Sequence, residues 1–197
     1  MKTMVVDNFF DNFSAIKDEF KKIPRYTADK HPSEDNEWDG ERSGYLVDSD
    51  KFLINLFINE FNFWFGNFFG EKLYLHIFTH LLTKKSKKMA IHKDSVFPAY
   101  ATYSMLVYLS DTNLKSGTAL YDPTGKDIIT DIKFVQNRAV VYDSRYFHAA
   151  TGNYGDNEDN GRLTLNAFWF KPENYFIEAN PAEMAAAMAN EKERKNR

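Results

Sequence analysis

The sequence predicts a mostly β fold with flanking helices, and three observations carry that expectation. Aromatic residues make up 16% of the 197-residue chain, with 18 Phe and 11 Tyr, a composition that suits pleated, half-buried surfaces better than a helical bundle. Beyond position 70, short runs rich in β-branched and aromatic residues succeed one another at 73–82, 89–92, 100–109, 118–121, 128–134, 139–142 and 163–170. Turn formers such as Ser116-Gly117, Pro123-Thr124-Gly125 and Gly155-Asp156-Asn157 separate several of them. Seven or eight short strands spaced in this way describe a sandwich, a barrel or a jelly roll.

The elements before the strands follow from periodicity and capping. Between positions 7 and 23, Phe9, Phe10, Phe13, Ile16, Phe20 and Ile23 recur mainly at helical spacing, which predicts an amphipathic helix ended by Pro24. From 24 to 50 the chain is polar and rich in turn formers, yet it carries Tyr26, Trp38, Arg42 and Tyr45. A long irregular segment of this kind is read either as a loop folding over a site or as a structured connector. Ser49-Asp50 then caps a second helix running through Leu53, Leu56, Phe57 and Phe61 toward Gly66. The Ala-, Met- and charge-rich stretch 181–197 is expected to be a helix that lies on the body or frays. The length suits one domain: N-terminal helices and polar loop over 1–70, a β core over 71–172, and a C-terminal helix or tail over 173–197.

Composition narrows the chemistry. There is no cysteine, so disulfides, thiolate nucleophiles and Cys-ligated metals are excluded, and any metal must be held by His and carboxylates. A net charge of -3 creates no field attractive to nucleic acid. The basic run Lys84-Lys85-Ser86-Lys87-Lys88 reads as a solvated loop. No stretch of about 18 uncharged apolar residues and no secretory h-region occurs, so a cytoplasmic protein without membrane or nucleic-acid partners, monomeric or homodimeric, is expected.

His92-Lys93-Asp94 at the end of one strand-like run is the first candidate for a metal site, because alternate strand residues share a face. Alone it is poor evidence: five His and 28 acids in 197 residues give about 0.7 His-x-acid pairs by chance. His148, just past the strand-like 139–142, supplies a third ligand, and two histidines with one carboxylate make a facial triad that leaves three adjacent positions on Fe(II) open. Arg162 opens the apolar strand Arg162-Leu163-Thr164-Leu165-Asn166-Ala167-Phe168-Trp169-Phe170. A guanidinium there is costly to bury unless it meets an anion, and its fork matches a carboxylate. Taken singly, His148 could equally be a packed core histidine and Arg162 a strand cap pointing to water.

The order His-x-Asp, His, Arg along short strands resembles the Fe(II)/2-oxoglutarate oxygenase superfamily, in particular its prolyl 4-hydroxylase-like branch with small bacterial and phage members. Tyr108-Leu109-Ser110-Asp111 before Ser116-Gly117-Thr118-Ala119-Leu120-Tyr121, and Asn137-Arg138-Ala139-Val140-Val141-Tyr142-Asp143-Ser144 before His148, resemble segments of that branch. The resemblance covers about half the chain. It implies a double-stranded β-helix (a cupin-like jelly roll), His92, Asp94 and His148 as Fe(II) ligands and catalytic centre, and Arg162 as partner of the distal carboxylate of 2-oxoglutarate. Tyr108 falls where relatives place a tyrosine on that carboxylate, although it serves equally as core filler, and Thr164 and Asn166 share the strand face of Arg162 as further polar contacts. The implied reaction uses O2 and 2-oxoglutarate, with ascorbate as accessory reductant, to hydroxylate an amino-acid or peptidyl side chain, proline favoured, releasing succinate and CO2. A carboxylate at position 94 points to hydroxylation rather than to halogenation, for which relatives carry a small residue there. A tyrosine that some relatives carry about ten residues before the His-x-Asp pair is absent, since Leu82 and Thr83 stand there. Two rival readings are a cupin-like metal dioxygenase or isomerase without 2-oxoglutarate, and a non-catalytic β-sandwich binding or structural protein.

Overall fold

The computed structural model describes residues 3–31, 38–46, 50–66, 74–96 and 99–171. Their strands are β1 (Met4–Val6), β2 (Glu41–Arg42), β3 (Tyr74–Leu82), β4 (Ser95–Val96), β5 (Ala99–Tyr100), β6 (Tyr103–Tyr108), β7 (Asn113–Tyr121), β8 (Ile128–Phe134), β9 (Ala139–Asp143), β10 (His148–Thr151) and β11 (Arg162–Phe170), with helices α1 (Phe13–Lys22) and α2 (Lys51–Phe65). A six-stranded sheet in the order β1-β9-β6-β11-β3-β2 faces a three-stranded sheet in the order β10-β7-β8. All pairings are antiparallel, and the two sheets form the double-stranded β-helix. The helix expected over 181–197 and part of the polar loop, 32–37, lie outside the described residues.

Strand alternation sorts the large sheet into two faces. Met105, Val107 and Leu109, Ala139 and Val141, and Leu163, Leu165, Ala167 and Trp169 pack with Phe57 and Phe61 of α2 and Ile16 and Phe20 of α1 in one core. Their neighbours Leu106, Tyr108, Val140 and Tyr142 turn the other way and meet Leu120, Ile132 and Phe134 of the small sheet. The aromatic excess fills both layers: the Phe61 and Trp169 rings lie 4.8 Å apart on the helical side, and Tyr108 stacks on Phe134 at 4.3 Å inside the sandwich.

Helix α2 matches its sequence signals. The Asp50 side chain accepts from Leu53 N at 3.0 Å, and Gly66 closes the helix at φ 56, a left-handed position that suits glycine. Helix α1 is shorter than its periodicity predicts. Met4–Val6 pairs with β9 instead, Asn8 turns the chain at φ 56, and Phe9 and Phe10 donate their backbone N–H groups to the carbonyl and side-chain oxygens of Asn137. Phe9 and Phe10 are still buried; tertiary pairing overrides the helical pattern while keeping its apolar content.

One further expectation is corrected. Residues 89–91 form no strand, and His92 makes only an isolated antiparallel bridge to His148. His148, past the strand at 139–143, opens β10 in register with Leu120 of β7. Four-residue strands framed by turns carry too little periodic signal to be read from sequence.

Candidate metal centre

Three elements bring the triad together. The bridge between His92 and His148 uses both backbone bonds, His92 N to His148 O at 3.0 Å and His148 N to His92 O at 2.8 Å. This pairing sets the two imidazoles side by side, ring centres 4.3 Å apart. Asp94 N donates to Ser144 O at 3.1 Å, which turns the Asp94 carboxylate toward the same point. Lys93, between them, points away and lies 4.2 Å over the Phe147 ring. His92 Nε2 lies 3.6 Å from Asp94 Oδ1 and His148 Nε2 lies 3.3 Å from Asp94 Oδ2. The ligand atoms all fall within 4.8 Å of one another, a spacing that one ion with bonds of about 2.0–2.2 Å can bridge with small side-chain adjustments.

The surrounding hydrogen bonds orient each ligand. His92 Nδ1 lies 2.9 Å from the Ala90 carbonyl and His148 Nδ1 lies 3.2 Å from the Tyr146 carbonyl. A carbonyl only accepts, so both rings carry their proton on Nδ1 and present the Nε2 lone pair to the centre, as metal-binding imidazoles do. Asp94 Oδ2 accepts from Ser104 Oγ at 2.6 Å and, more weakly, from the Tyr142 hydroxyl at 3.5 Å. Ser104 has spent its only proton on the carboxylate, so the 2.7 Å contact with Ser144 Oγ is a bond donated by Ser144. Burial by itself would raise the Asp94 carboxyl, but the facing His148, His92 and the Ser104 hydroxyl hold it down at about 2. Asp94 is therefore ionised. Ser104, Ser144 and Tyr142 escaped notice in the sequence; the one available signal was a small polar residue on the same face as Leu106 and Tyr108. Ser104→Ala is expected to weaken Fe(II) or Mn(II) affinity by about 10–100-fold with the fold intact, measured by metal titration; unchanged affinity would show that the Asp94 rotamer is held by packing alone.

Burial tends to lower the two imidazole pKa values and Asp94 to raise them. For His148 burial dominates and the pKa is lowered; for His92 the hydrogen bond and charge of Asp94, with the Ala90 carbonyl, prevail and it is raised. A metal must displace the proton that His92 retains above the ordinary imidazole value of about 6.5. Metal affinity is thus expected to be flat at alkaline pH and to fall by about tenfold per unit as pH drops through the raised His92 value, because one proton is released per ion bound. Titrations across pH 5.5–8.5 check this, and an affinity that rose on acidification would reverse the assignment.

Arg162 occupies the floor of the same cleft. It is 3% exposed, and its Nη2 donates to Gly117 O at 3.1 Å and to Thr118 Oγ1 at 3.3 Å. Its Nε has no acceptor, and among the described residues no carboxylate pairs with it. Burial accordingly lowers its pKa. A buried cation with donors left over is the requirement of an anion. The cleft, about 430 Å³ including its open mouth, is lined by the triad, by Arg42 and His80, and by Thr118, Arg162, Thr164 and Asn166. Arg162, Thr164 and Asn166 share one face of β11, as alternation predicts. Asn166 Oδ1 is buried without a partner, while Thr164 Oγ1 bonds the His80 carbonyl at 3.3 Å. Tyr108 is fully buried, stacked on Phe134, and its hydroxyl donates to Thr118 Oγ1 at 2.8 Å. Thr118, which the sequence reading passed over, stands between Tyr108 and Arg162.

No family model and no curated relative matches the chain. Solved structures do. The non-heme alpha-ketoglutarate-dependent epimerase SnoN of nogalamycin biosynthesis aligns at TM-score 0.62 and 14% identity, over 86% of this chain and 77% of that one. A prolyl hydroxylase from Trichoplax adhaerens, solved with a hypoxia-inducible-factor peptide, aligns at TM-score 0.62 and 12% identity, over 90% and 87%. A prolyl 4-hydroxylase of Pseudomonas putida aligns at TM-score 0.55 and 16% identity, over 86% and 92%. The chain has the fold of the 2-oxoglutarate-dependent oxygenases. One structure of SnoN holds Fe3+ and alpha-ketoglutarate, and a carbocyclase, SnoK, also shares the oxygenase fold. Within this oxygenase fold, the His-Asp-His cluster and the buried arginine share one cleft. No helix among the described residues is long and apolar enough to cross a membrane.

Proposed function

We propose that the chain is an Fe(II)/2-oxoglutarate-dependent dioxygenase that hydroxylates an amino-acid or peptidyl side chain, with proline the favoured target. One observation carries the reading: a His-Asp-His cluster with ligand atoms within 4.8 Å of one another shares a cleft with a buried arginine that has no carboxylate partner among the described residues. Two neutral imidazoles and a carboxylate suit Fe(II) and leave positions for exchangeable ligands. His92, Asp94 and His148 would hold the iron. Arg162 would take the distal carboxylate of 2-oxoglutarate, with Thr118 and Asn166 as neighbouring polar groups. When bound, iron and 2-oxoglutarate supply O2 activation coupled to decarboxylation to succinate and CO2.

The chain's own contribution is orientation and charge. The Nδ1–H bonds to the Ala90 and Tyr146 carbonyls fix both rings, and the Ser144–Ser104–Asp94 chain fixes the carboxylate. Leu106, Ala150 and Phe168 add apolar wall to this otherwise polar cleft. The same fold serves an epimerase and a carbocyclase, so the outcome on the substrate has to be read directly. The test is succinate release after anaerobic Fe(II) loading, against free amino acids and proline-containing peptides, with mass analysis of the product. Substrate-dependent succinate with a product heavier by one oxygen is the expected result. Metal uptake without succinate from any substrate would favour a metal enzyme that does not use 2-oxoglutarate.

A further inference from the structure

The cleft contains a second arginine that the iron and co-substrate sites do not use. Arg42 sits on β2, whose backbone is held from both sides. It is in register with His80 of β3 and exchanges two bonds with Tyr26, at 2.8 and 2.9 Å. Gly40 makes this docking possible: at φ +80, any Cβ there would lie 2.3 Å from the Leu81 carbonyl. The guanidinium lies over two rings, 4.8 Å from the centre of Trp38 and 5.1 Å from that of Phe78. Such stacking holds the plane of an arginine while leaving its edge nitrogens free to donate.

Among the described residues its donors have no acceptor. Arg42 lines the cleft alongside His92 and Asp94, its Nε is buried without a partner, and its side chain donates no hydrogen bond to any described residue. Charge points the same way. The cleft lining holds two guanidiniums against the single carboxylate of Asp94. A divalent ion and a dicarboxylate co-substrate cancel each other, so one positive charge is left unmet among the described lining residues.

We propose that Arg42 is the substrate-binding residue of this cleft and that it recognises a free carboxylate on the substrate, borne by a free amino acid or by a peptide C-terminus. The inference rests on the oxygenase reading and adds a substrate class to it. A substrate whose carboxylate is masked as an amide would offer the Arg42 edge one neutral acceptor in place of two charged ones, and would bind more weakly.

The test is calorimetric and needs no turnover. The protein is loaded anaerobically with Mn(II) and 2-oxoglutarate, each uptake being measured first. It is then titrated with the proteinogenic L-amino acids, with their carboxamides, and with N-acetylated proline-containing tripeptides carrying a free or amidated C-terminus. At least one acid is expected to bind, with its amide at least tenfold weaker, and the tripeptide arm separates the two carboxylate sources. Arg42→Gln is expected to erase the preference for acid over amide while 2-oxoglutarate affinity stays within about threefold, and Arg42→Lys to restore part of the preference. Normal uptake of Mn(II) and 2-oxoglutarate with acids and amides binding alike, or with no acid bound, overturns the proposal and leaves the oxygenase reading standing. Absence of 2-oxoglutarate uptake overturns both.

Discussion

Arg162→Met is expected to weaken 2-oxoglutarate binding by about 30-fold or more and, at the same time, to make the ligand-free protein more stable. The two effects have one cause. A buried guanidinium whose Nε has no acceptor, and which has no carboxylate partner among the described residues, carries an uncompensated desolvation cost, of a few kcal/mol in typical interiors. Methionine fills much of the same volume without the charge. The bonds to Gly117 O and Thr118 Oγ1 are lost, which offsets part of the gain, so a net increase of about 1–3 kcal/mol is expected. In the ligand-bound state the balance reverses. Removing one partner of a buried, hydrogen-bonded charge pair costs about 2–5 kcal/mol, or roughly 30- to several-thousand-fold in affinity. Denaturant melts of the metal-free protein and calorimetric titration with 2-oxoglutarate read the two effects separately. A variant that is both less stable and unchanged in 2-oxoglutarate affinity would show that Arg162 is a structural strand-end residue.

His148→Ala is expected to lower Fe(II) or Mn(II) affinity by on the order of 100- to 1,000-fold, the scale of one ligand's share of a protein–metal binding energy. The side chain is 7% exposed and its Nε2 lies 3.3 Å from Asp94 Oδ2, so no other described His or acid of the cluster can take its place. The substitution also acts on Asp94. The Asp94 carboxyl is held at about 2, below its unfolded value of about 3.9. It therefore contributes stability that is present above about pH 4 and lost as pH falls toward 2. Without the attraction of His148 the Asp94 carboxyl is expected to rise toward its ordinary value. Metal titration and NMR titration of the Asp94 carboxyl measure the two consequences. Metal affinity unchanged by the substitution would remove His148 from the site and, with it, the triad.

Much of the architecture was legible because it rests on local rules. The alternation in Tyr103–Tyr108 and Arg162–Phe170 placed Ser104, Leu106, Tyr108, Arg162, Thr164 and Asn166 on the inner faces, and Asp50 and Gly66 marked the limits of α2. The absence of cysteine restricted any metal to His and carboxylate ligands before a contact was known. What depends on residues far apart in the chain was not legible. Met4–Val6 is a strand only because β9 offers it an edge, and the helix predicted over Phe9 and Phe10 is cut short because Asn137, 127 positions away, captures the Phe10 backbone. His92 and Asp94 alone formed a pair little better than chance, and the order of His148 and Arg162 after them singled out the site; the backbone bridge that sets His92 beside His148 was not legible. The Ser144–Ser104–Asp94 chain, the Tyr108–Thr118–Arg162 relay and the stacking of Arg42 over Trp38 and Phe78 join elements with no common period. Sequence periodicity encodes which face a residue occupies; which residue it meets across the sandwich is decided by register and sheet order, because hydrogen bonds and ion pairs act over a few ångströms between parts of the chain that only the tertiary fold brings together.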